Sequence, residues 1–250
     1  MHPRWSALKA RISNRLARDW CATPFRLRSD GPMVSFTFDD IPKSAATTAA
    51  AMLGEYNAIG TYYVAGGLMD QWSGHWDGAS DDDIVRLHRS GHEIACHTFS
   101  HLRTTSLDAA TLAAEIDRNR RYLTALDPSI KLENFAYPFG LASVARKGQL
   151  RKIFRSSRGV LPGINSGTVD LQYLRAMPLT EEHIDCEGID RAYVEAVASN
   201  GWLIFYSHDV EATPSPYGCT PQLLRHALDV AARRNIPALS VAGALLRAGA

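Results

Sequence analysis

Five side chains capable of metal binding or proton transfer come directly after apolar stretches that have the character of buried strands. Asp39 and Asp40 follow MVSFTF, His97 and His101 follow HEIAC, and His208 follows WLIFYS. The carboxyl ends of parallel strands meet at one edge of an α/β barrel, where active sites of this fold are built. We therefore expect these five side chains to converge.

The histidine pair and the aspartate pair together indicate a metal site. His97 and His101 are four residues apart, so both imidazoles would face one side of a helical turn. Alone, such a pair is more often a polar helix face, and Asp39–Asp40 alone is more often a turn or helix cap. Their joint occurrence at strand ends favours Zn²⁺ bound by two imidazoles and one carboxylate, with an open position for water. Zinc would lower the pKa of that water toward about 7, and the other carboxylate would take its proton, which is a hydrolase arrangement.

These residues must be positioned by alternating strands and helices, the pattern of a parallel sheet. The predicted strands are 33–38, 61–65, 92–96, 133–137, 153–155, 174–177, 203–207 and 238–241. Helical spacing covers 43–56, 81–90, 106–126, 190–200 and 220–234, with Ser44, Ser106 and Thr220 as N-caps. The sequence thus predicts an α/β fold, a single distorted (β/α) barrel of seven or eight strands, as a domain over residues 31–250.

Residues 1–30 form a separate N-terminal segment, predicted as a basic amphipathic helix. Its apolar positions fall three or four apart and are Trp5, Leu8, Ile12, Leu16 and Trp20. Docking of this helix on the core of the domain is the preferred expectation. Peripheral contact of residues 4–20 with an anionic membrane surface is the alternative.

Composition narrows the classes of partner. The chain has 250 residues, 46% of them hydrophobic, and a formal net charge of +1, which is typical of a folded globular protein without a nucleic-acid footprint. Its four cysteines form no CxxC pair. The N-terminus lacks the apolar run of a signal peptide. We expect a cytoplasmic protein, with a place at the inner membrane face as the alternative, and a carbohydrate rather than a nucleic acid as its partner.

Four motifs together resemble those of the polysaccharide deacetylases with a NodB-type domain, also called carbohydrate esterase family four. They are TFDD at 37–40, HTFSH at 97–101, YPFG at 137–140 and YSHD at 206–209. The resemblance implies a distorted (β/α) barrel that hydrolyses N-acetyl groups on sugars. It also implies a divalent metal, foremost Zn²⁺, with Co²⁺, Ni²⁺ or Mn²⁺ as alternatives.

The resemblance assigns a role to each polar residue of the motifs. Asp40, His97 and His101 would bind the metal. Asp39 would be the general base, and His208 would be the general acid that protonates the leaving amine.

The third motif would supply the oxyanion site and sugar contacts. The backbone N–H of Phe139 would hold the oxyanion together with the metal, since a fixed N–H needs no particular side chain. Tyr137 and Pro138 would contact the sugar. The segment LPGIN at 161–165 resembles a bacterial branch of the family linked to surface glycans, and Asn165 is expected to line the sugar site.

Two departures from the family pattern concern the support of the site. The third motif commonly carries an Arg that contacts the catalytic Asp, but Ala136 occupies that position here. Arg175 is the candidate replacement, because an Arg beside Asp39 would keep it ionised. The fourth motif, with an Asp and a Trp that tune the acidic His, has no match. Asp185 and Asp190 lie in the corresponding part of the chain.

A Gly-rich loop carries further aromatic residues of undecided role. His75 lies between Trp72 and Trp76. These rings would either stack on a sugar or pin the loop.

The expected activity is thus metal-dependent removal of N-acetyl groups from a sugar of a surface polysaccharide or its precursor. Two alternatives remain open. One is a hydrolase of the same fold acting on O-acetyl or cyclic amide substrates, and the other is a catalytically silent glycan-binding domain. Retention of both an acid and a base favours an enzyme.

Overall fold

The computed structural model describes residues 13–250. Within these residues there are nine strands, seven of which form one curled parallel sheet. The strands in chain order are β1 (Pro24–Arg26), β2 (Met33–Asp39), β3 (Thr61–Val64), β4 (Glu93–Cys96), β5 (Asn134–Ala136), β6 (Ser156–Arg158), β7 (Thr168–Asp170), β8 (Met177–Pro178) and β9 (Trp202–Ser207). The sheet order is β6-β5-β4-β3-β2-β9-β8, with every neighbouring pair parallel. This confirms the predicted distorted (β/α) barrel. Strands β1 and β7 pair separately and antiparallel.

Helices cover the outside of the sheet. They are α1 (13–19), α2 (Ala50–Glu55, entered through a π-helical turn at Ala45–Ala49), α3 (Asp81–Arg89), α4 (Ala109–Leu126), α5 (Val144–Leu150), α6 (Cys186–Ala198), α7 (Pro221–Arg233) and α8 (Val241–Arg247). Among the described residues, no helix is both long and apolar enough to traverse a bilayer.

One of the three predicted helix caps is confirmed. The Thr220 side chain accepts a hydrogen bond from the N–H of Leu223 and caps α7. Helix α4 begins later than predicted, because Asp108 rather than Ser106 provides its cap. Ser44 makes no cap bond. Its hydroxyl instead accepts a hydrogen bond from the N–H of Val210 at 3.1 Å, which ties α2 to the segment after β9.

The predicted strand at 153–155 is wrong by three residues. Leu150 ends the unpredicted helix α5, Ile153 lies in the turn that follows, and the strand occupies Ser156–Arg158. This shift matters because it moves Arg158 to the carboxyl end of β6. The prediction failed because RKIF is apolar enough for a strand, whereas SSR, which forms the strand, carries no apolar signal.

Two other predicted strand positions also differ. Residues 238–241 form no strand, since Ala238 makes a single bridge to Val34 and Ser240 caps α8. The strand predicted at 174–177 is the two-residue β8, and Leu174 forms a bridge with Arg158.

Alternation along β2 places its acidic end inside the barrel. Val34, Phe36 and Phe38 belong to the main core between sheet and helices. Successive side chains of a strand point to opposite faces, so Asp39 points to the interior instead. The interior is filled by a small separate cluster of Tyr63, Ala95 and Ala136.

The described part of the N-terminal segment packs on the barrel. Asn14 and Ala17 of α1 are buried. The Asn14 side chain accepts a hydrogen bond from the N–H of Ala142 at 3.0 Å, and the Lys147 ammonium donates to the carbonyls of Ala17 and Trp20. Residues 1–12, with the first three apolar positions of the predicted stripe, lie outside the described chain.

Candidate active site

The polar strand ends meet at one end of the barrel. Asp39 and Asp40 end β2, His97 and His101 follow β4, and His208 follows β9. The predicted convergence of the metal-binding residues is therefore observed in the fold. Two further strand ends contribute: the turn Pro138–Gly140 after β5, and the last residue of β6.

Asp40, His97 and His101 have the arrangement of a metal site. One ligand atom from each lies within 4.8 Å of the others. The Asp40 Oδ1 atom is 3.7 Å from His97 Nε2 and 3.4 Å from His101 Nε2. Asp40 Oδ1 is buried without a hydrogen-bond partner. An orphaned carboxylate oxygen facing two imidazole nitrogens fits a divalent cation, which would satisfy all three atoms.

Protonation of the three groups also fits a cation. Burial lowers the pKa of His97 to about 4, and burial with the neighbouring His97 lowers the pKa of His101 to about 3. Both imidazoles are therefore neutral, the form that binds metals. Burial and the charge of Asp39 raise the pKa of Asp40 to about 8. A cation would counter this by stabilising the carboxylate.

The ring of His97 is oriented by the backbone of β5. Its Nδ1 lies 2.8 Å from the carbonyl oxygen of Ala136. Because a carbonyl only accepts, Nδ1 carries the proton and Nε2 is left free as a ligand. Metal-binding histidines characteristically donate their second N–H in this way.

The backbone around the site is unusually constrained. Asp40, Ile41, Thr98, His101 and Phe139 all have positive φ, from 46° to 62°. Such conformations cost about 1–3 kcal/mol each in non-glycine residues and cluster at functional sites. The predicted helical turn across HTFSH is consequently wrong. The chain bends through two left-handed residues, which still brings the two imidazole rings within 4.8 Å.

The HTFSH segment is anchored from α4. The Glu115 carboxylate accepts hydrogen bonds from the backbone N–H of Ser100 at 2.7 Å and from the Ser100 hydroxyl at 3.1 Å. Ser100 directly precedes His101. This link fixes the strained loop to a long helix.

Asp39 is paired with Arg158, which sequence reasoning missed. The Arg158 guanidinium donates to both Asp39 carboxylate oxygens, at 2.6 Å for Oδ2, and it also donates to the carbonyl of Gly159 at 2.9 Å. Its side chain is fully buried, between the rings of Tyr63 and Tyr206. Burial alone would raise the pKa of Asp39, but the charge and hydrogen bonds of Arg158, together with the neighbouring His97 and His208, hold this pKa below its usual value. Asp39 is thus an ionised carboxylate.

The prediction that Arg175 supports Asp39 is wrong. Arg175 is exposed, and its guanidinium donates to the carbonyl of Pro162 at 3.0 Å. The search for the arginine at a strand end was correct, but the predicted position of β6 was three residues too early in the chain. With β6 at its true position, Arg158 would have been the strand-end arginine.

His208 is held by aromatic residues and a backbone carbonyl. Its ring lies 5.3 Å from Trp76 and 5.7 Å from Tyr217. Its Nδ1 is 3.2 Å from the Tyr217 carbonyl, so Nδ1 carries the proton and Nε2 is the free atom. Trp76 is buried, whereas Trp72 is 66% exposed. Trp76, from the Gly-rich loop, therefore packs on His208, a contact that could not be predicted from the spacing of residues in the loop.

The loop after His208 is closed by hydrogen bonds to the next residue, Asp209. Asp209 is buried and accepts hydrogen bonds from the Ser215 N–H at 2.7 Å and hydroxyl at 2.5 Å. This closure places the Tyr217 carbonyl at His208. Asp185 caps α6 and Asp190 contacts His226, so neither takes part here.

The third motif presents a single exposed side chain. Phe139 is 52% exposed, and its ring centroid lies 4.4 Å from that of His101. Tyr137 and Pro138 are buried, and the Tyr137 hydroxyl donates to the carbonyl of Gln172 at 3.0 Å. The expectation that the side chains of Tyr137 and Pro138 contact a sugar is therefore contradicted by their burial.

Asn165 does not line this site. It pairs with Trp202, the first residue of β9, through two backbone hydrogen bonds, and its amide donates to the carbonyl of Arg175. His208 follows the opposite end of β9, roughly 20 Å away along a six-residue strand. Asn165 is a buried structural residue.

Known proteins resemble this chain in sequence and in fold. The model of the polysaccharide deacetylase family matches residues 26–153. A bifunctional xylanase/deacetylase from Pseudobutyrivibrio xylanivorans is 27% identical over 85 residues, which are 34% of this chain and 13% of that protein's length. The chain thus spans a small part of that relative.

Solved structures share the barrel at low identity. A chitin deacetylase from Colletotrichum lindemuthianum has a TM-score of 0.61 at 17% identity, covering 87% of this chain and 89% of that one. A family 4 acetyl xylan esterase from Clostridium thermocellum, solved with a cobalt ion, has a TM-score of 0.60 at 20% identity, covering 86% and 90%. A mutant peptidoglycan deacetylase from Bacillus subtilis has a TM-score of 0.60 at 15% identity, covering 87% and 92%. With the family model matching half of the sequence, the chain belongs to the polysaccharide deacetylase family.

Proposed function

We propose that this protein is a metal-dependent hydrolase that removes N-acetyl groups from a carbohydrate, a sugar of a surface polysaccharide or its precursor. The observation that carries the proposal is the ionised Asp39–Arg158 pair directly beside the buried Asp40, His97 and His101 cluster. A glycan-binding module needs neither a buried carboxylate held ionised nor three metal-binding groups facing each other.

Asp40, His97 and His101 would hold the metal. A divalent cation bound there would supply Lewis-acid activation of water and of the acyl carbonyl. Zn²⁺ is the first choice, because two neutral imidazoles and one carboxylate are typical of catalytic zinc sites, while Co²⁺, Ni²⁺ and Mn²⁺ accept similar donors.

Asp39 is suited to act as the base. Its carboxylate is ionised by Arg158, and it accepts a proton from water as the water oxygen forms a bond to the acetyl carbon. The backbone N–H of Phe139, in the first turn after β5, is the candidate donor to the negative charge that develops on the carbonyl oxygen.

His208 is suited to act as the acid. Its Nδ1–H is engaged by the Tyr217 carbonyl, which fixes the tautomer and leaves Nε2 as the atom that delivers a proton. Burial lowers the pKa of His208 below its usual value, so a proton held at Nε2 is released more easily. The carbon–nitrogen bond then breaks, the amine leaves with that proton, and acetate is released. An amide nitrogen must be protonated before it departs, so a dedicated acid favours an N-acetyl substrate over an O-acetyl one.

O-acetyl hydrolysis is the second candidate. The structures similar to this chain include both a chitin deacetylase and an acetyl xylan esterase by name. Acetate release from matched N-acetylated and O-acetylated oligosaccharides, measured with one enzyme preparation, decides between them. Faster turnover of O-acetyl xylan than of N-acetylglucosamine oligomers would refute the N-acetyl assignment.

Two variants separate chemistry from metal binding. Asp39→Asn should lower kcat by at least about 100-fold with full metal content, because it removes only the base. His97→Ala should lose both metal and turnover. Metal is measured by elemental analysis of protein purified without chelator. An active Asp39→Asn variant, or wild-type protein that neither contains nor is stimulated by Zn²⁺ or Co²⁺, would count against the proposed mechanism.

A further inference from the structure

The outer side of α1 carries exposed apolar side chains next to exposed basic ones. Leu16 is 56% exposed and Trp20 is 41% exposed. Helix α1 docks through Asn14 and Ala17, while Leu16 and part of the Trp20 ring, which also faces the Lys147 ammonium at 5.7 Å, stay exposed among the described residues. A tryptophan and a leucine one helical turn apart form the kind of face that inserts at a membrane interface.

Exposed basic residues lie on α1 and directly after α5. Arg15 and Arg18 of α1 are exposed, and so are Arg151 and Lys152 directly after α5. Arg151 donates to the carbonyl of Ala22 at 3.3 Å, so the end of α5 lies beside the segment that follows α1. We call Leu16, Trp20, Arg15, Arg18, Arg151 and Lys152 the α1–α5 patch.

The charge of this patch contrasts with that of the whole chain. The formal net charge is only +1, with 27 basic and 26 acidic residues. The patch itself has four exposed basic residues, Arg15, Arg18, Arg151 and Lys152, beside the exposed acidic Asp19 of α1. Residues 1–12 add Arg4, Lys9 and Arg11 to the sequence next to α1.

The patch is held rigidly by a buried ion. The Lys147 ammonium is fully buried, where it pairs with Asp170 and donates to the carbonyls of Ala17 and Trp20 at the end of α1. Lys147 therefore fixes α1 to α5, and the patch is a preformed surface rather than a loose tail.

We propose that the α1–α5 patch binds an anionic lipid bilayer. Basic side chains would face the lipid headgroups while Leu16 and Trp20 enter the interface. Charge complementarity selects an anionic partner, and the exposed Leu16 and Trp20 favour a bilayer over a nucleic-acid backbone, which offers no apolar layer.

The start of α1, rather than the patch itself, packs against the loop that follows the third motif. Asn14 accepts a hydrogen bond from Ala142, three residues after Phe139. Lipid binding by the patch does not rest on the proposed function.

Co-sedimentation of the full chain with vesicles tests the proposal without any activity measurement. Wild-type protein should bind vesicles of 70% phosphatidylcholine and 30% phosphatidylglycerol at least tenfold more tightly than pure phosphatidylcholine. Leu16→Ser with Trp20→Ser should weaken binding at least tenfold. Arg15→Ser with Lys152→Ser should weaken it by about fivefold per charge removed.

Matched controls lie on two other helices, α6 and α7. Val194 and Val197 on α6 are 53% and 46% exposed, close to the values of the apolar pair. Val194→Ser with Val197→Ser should leave vesicle binding unchanged, as should Arg233→Ser with Arg234→Ser at the end of α7. Thermal unfolding checks that each variant is folded.

Any of the following outcomes would overturn the proposal. The first is no binding of wild-type protein to the anionic vesicles. The second is equal loss in the α6 control. The third is unchanged binding by the Leu16 and Trp20 variant, or equally tight binding to a short nucleic-acid duplex, either of which would mean simple adsorption of a basic surface.

Discussion

Replacement of Arg158 by alanine would expose how far the site depends on one buried ion pair. The Arg158 side chain is fully buried and that of Asp39 is 7% exposed. Removal of one partner of such a pair leaves an uncompensated charge and costs about 3–5 kcal/mol. For a chain of this size we expect a Tm lower by roughly 6–20 °C.

The same change should affect catalysis more than metal binding. Without Arg158, burial would raise the pKa of Asp39 and the carboxylate would lose its orientation. General bases contribute about 10²–10⁴ in rate, so kcat should fall by at least about 100-fold. Metal content should stay near wild type, because Arg158 contacts none of Asp40, His97 and His101.

Arg175→Ala is the matched control. Both changes remove an arginine, but Arg175 is exposed and its guanidinium donates to the carbonyl of Pro162. It should change stability and kcat little. Arg158→Lys keeps the charge without the planar fork, so it should restore stability better than turnover.

The assays are acetate release at saturating substrate, elemental analysis for metal, and thermal unfolding. The reasoning is refuted if Arg158→Ala retains turnover within threefold of wild type. It is equally refuted if Arg175→Ala is as damaging as Arg158→Ala, since burial would then not be the deciding property.

Three further changes probe the supports of the site. Asp209→Ala should open the loop that holds the Tyr217 carbonyl and lower kcat by about 10–100-fold with metal retained; an unchanged kcat would show that this loop does not position His208. Glu115→Ala should free the HTFSH segment and weaken metal affinity by about tenfold in a competition titration with a chelator; unaltered affinity would remove Glu115 from the support of the site. Lys147→Met should lower the free energy of unfolding by about 3 kcal/mol in urea denaturation, with no change in metal content; a stability equal to wild type would contradict the buried contacts of this ammonium.

Secondary structure with a strong local signal could be predicted from the sequence. Strand β2 is a continuous buried run, and the prediction differs by one residue at its end. Helix α7 begins at its predicted cap, Thr220. The prediction of short strands failed, because three residues such as those of β6 or β7 are too few to show a pattern. Such strands form only where neighbouring strands offer hydrogen bonds.

The residues of the candidate site likewise divide into those that could be predicted from the sequence and those that could not. Asp40, His97 and His101 could be selected by type, spacing and position after strands, and the fold brings them together. Arg158 and Trp76 could not be assigned. Whether a side chain contacts Asp39 or His208 depends on the register of the strands and on the path of the loops. Neither can be predicted from the spacing of residues in the sequence.

By itself, the sequence determined the barrel, the order of the polar strand ends and the candidate metal triad, because apolar periodicity and residue chemistry are local properties. Tertiary structure alone decided what surrounds that triad. It placed Arg158 rather than Arg175 on Asp39, packed Trp76 on His208, and buried Tyr137 and Asn165 away from the site. The physical reason is that contacts between residues far apart in the chain decide which charges are buried and how they are paired. Because an unpaired buried charge is costly, the fold favours arrangements in which each buried charge has a partner.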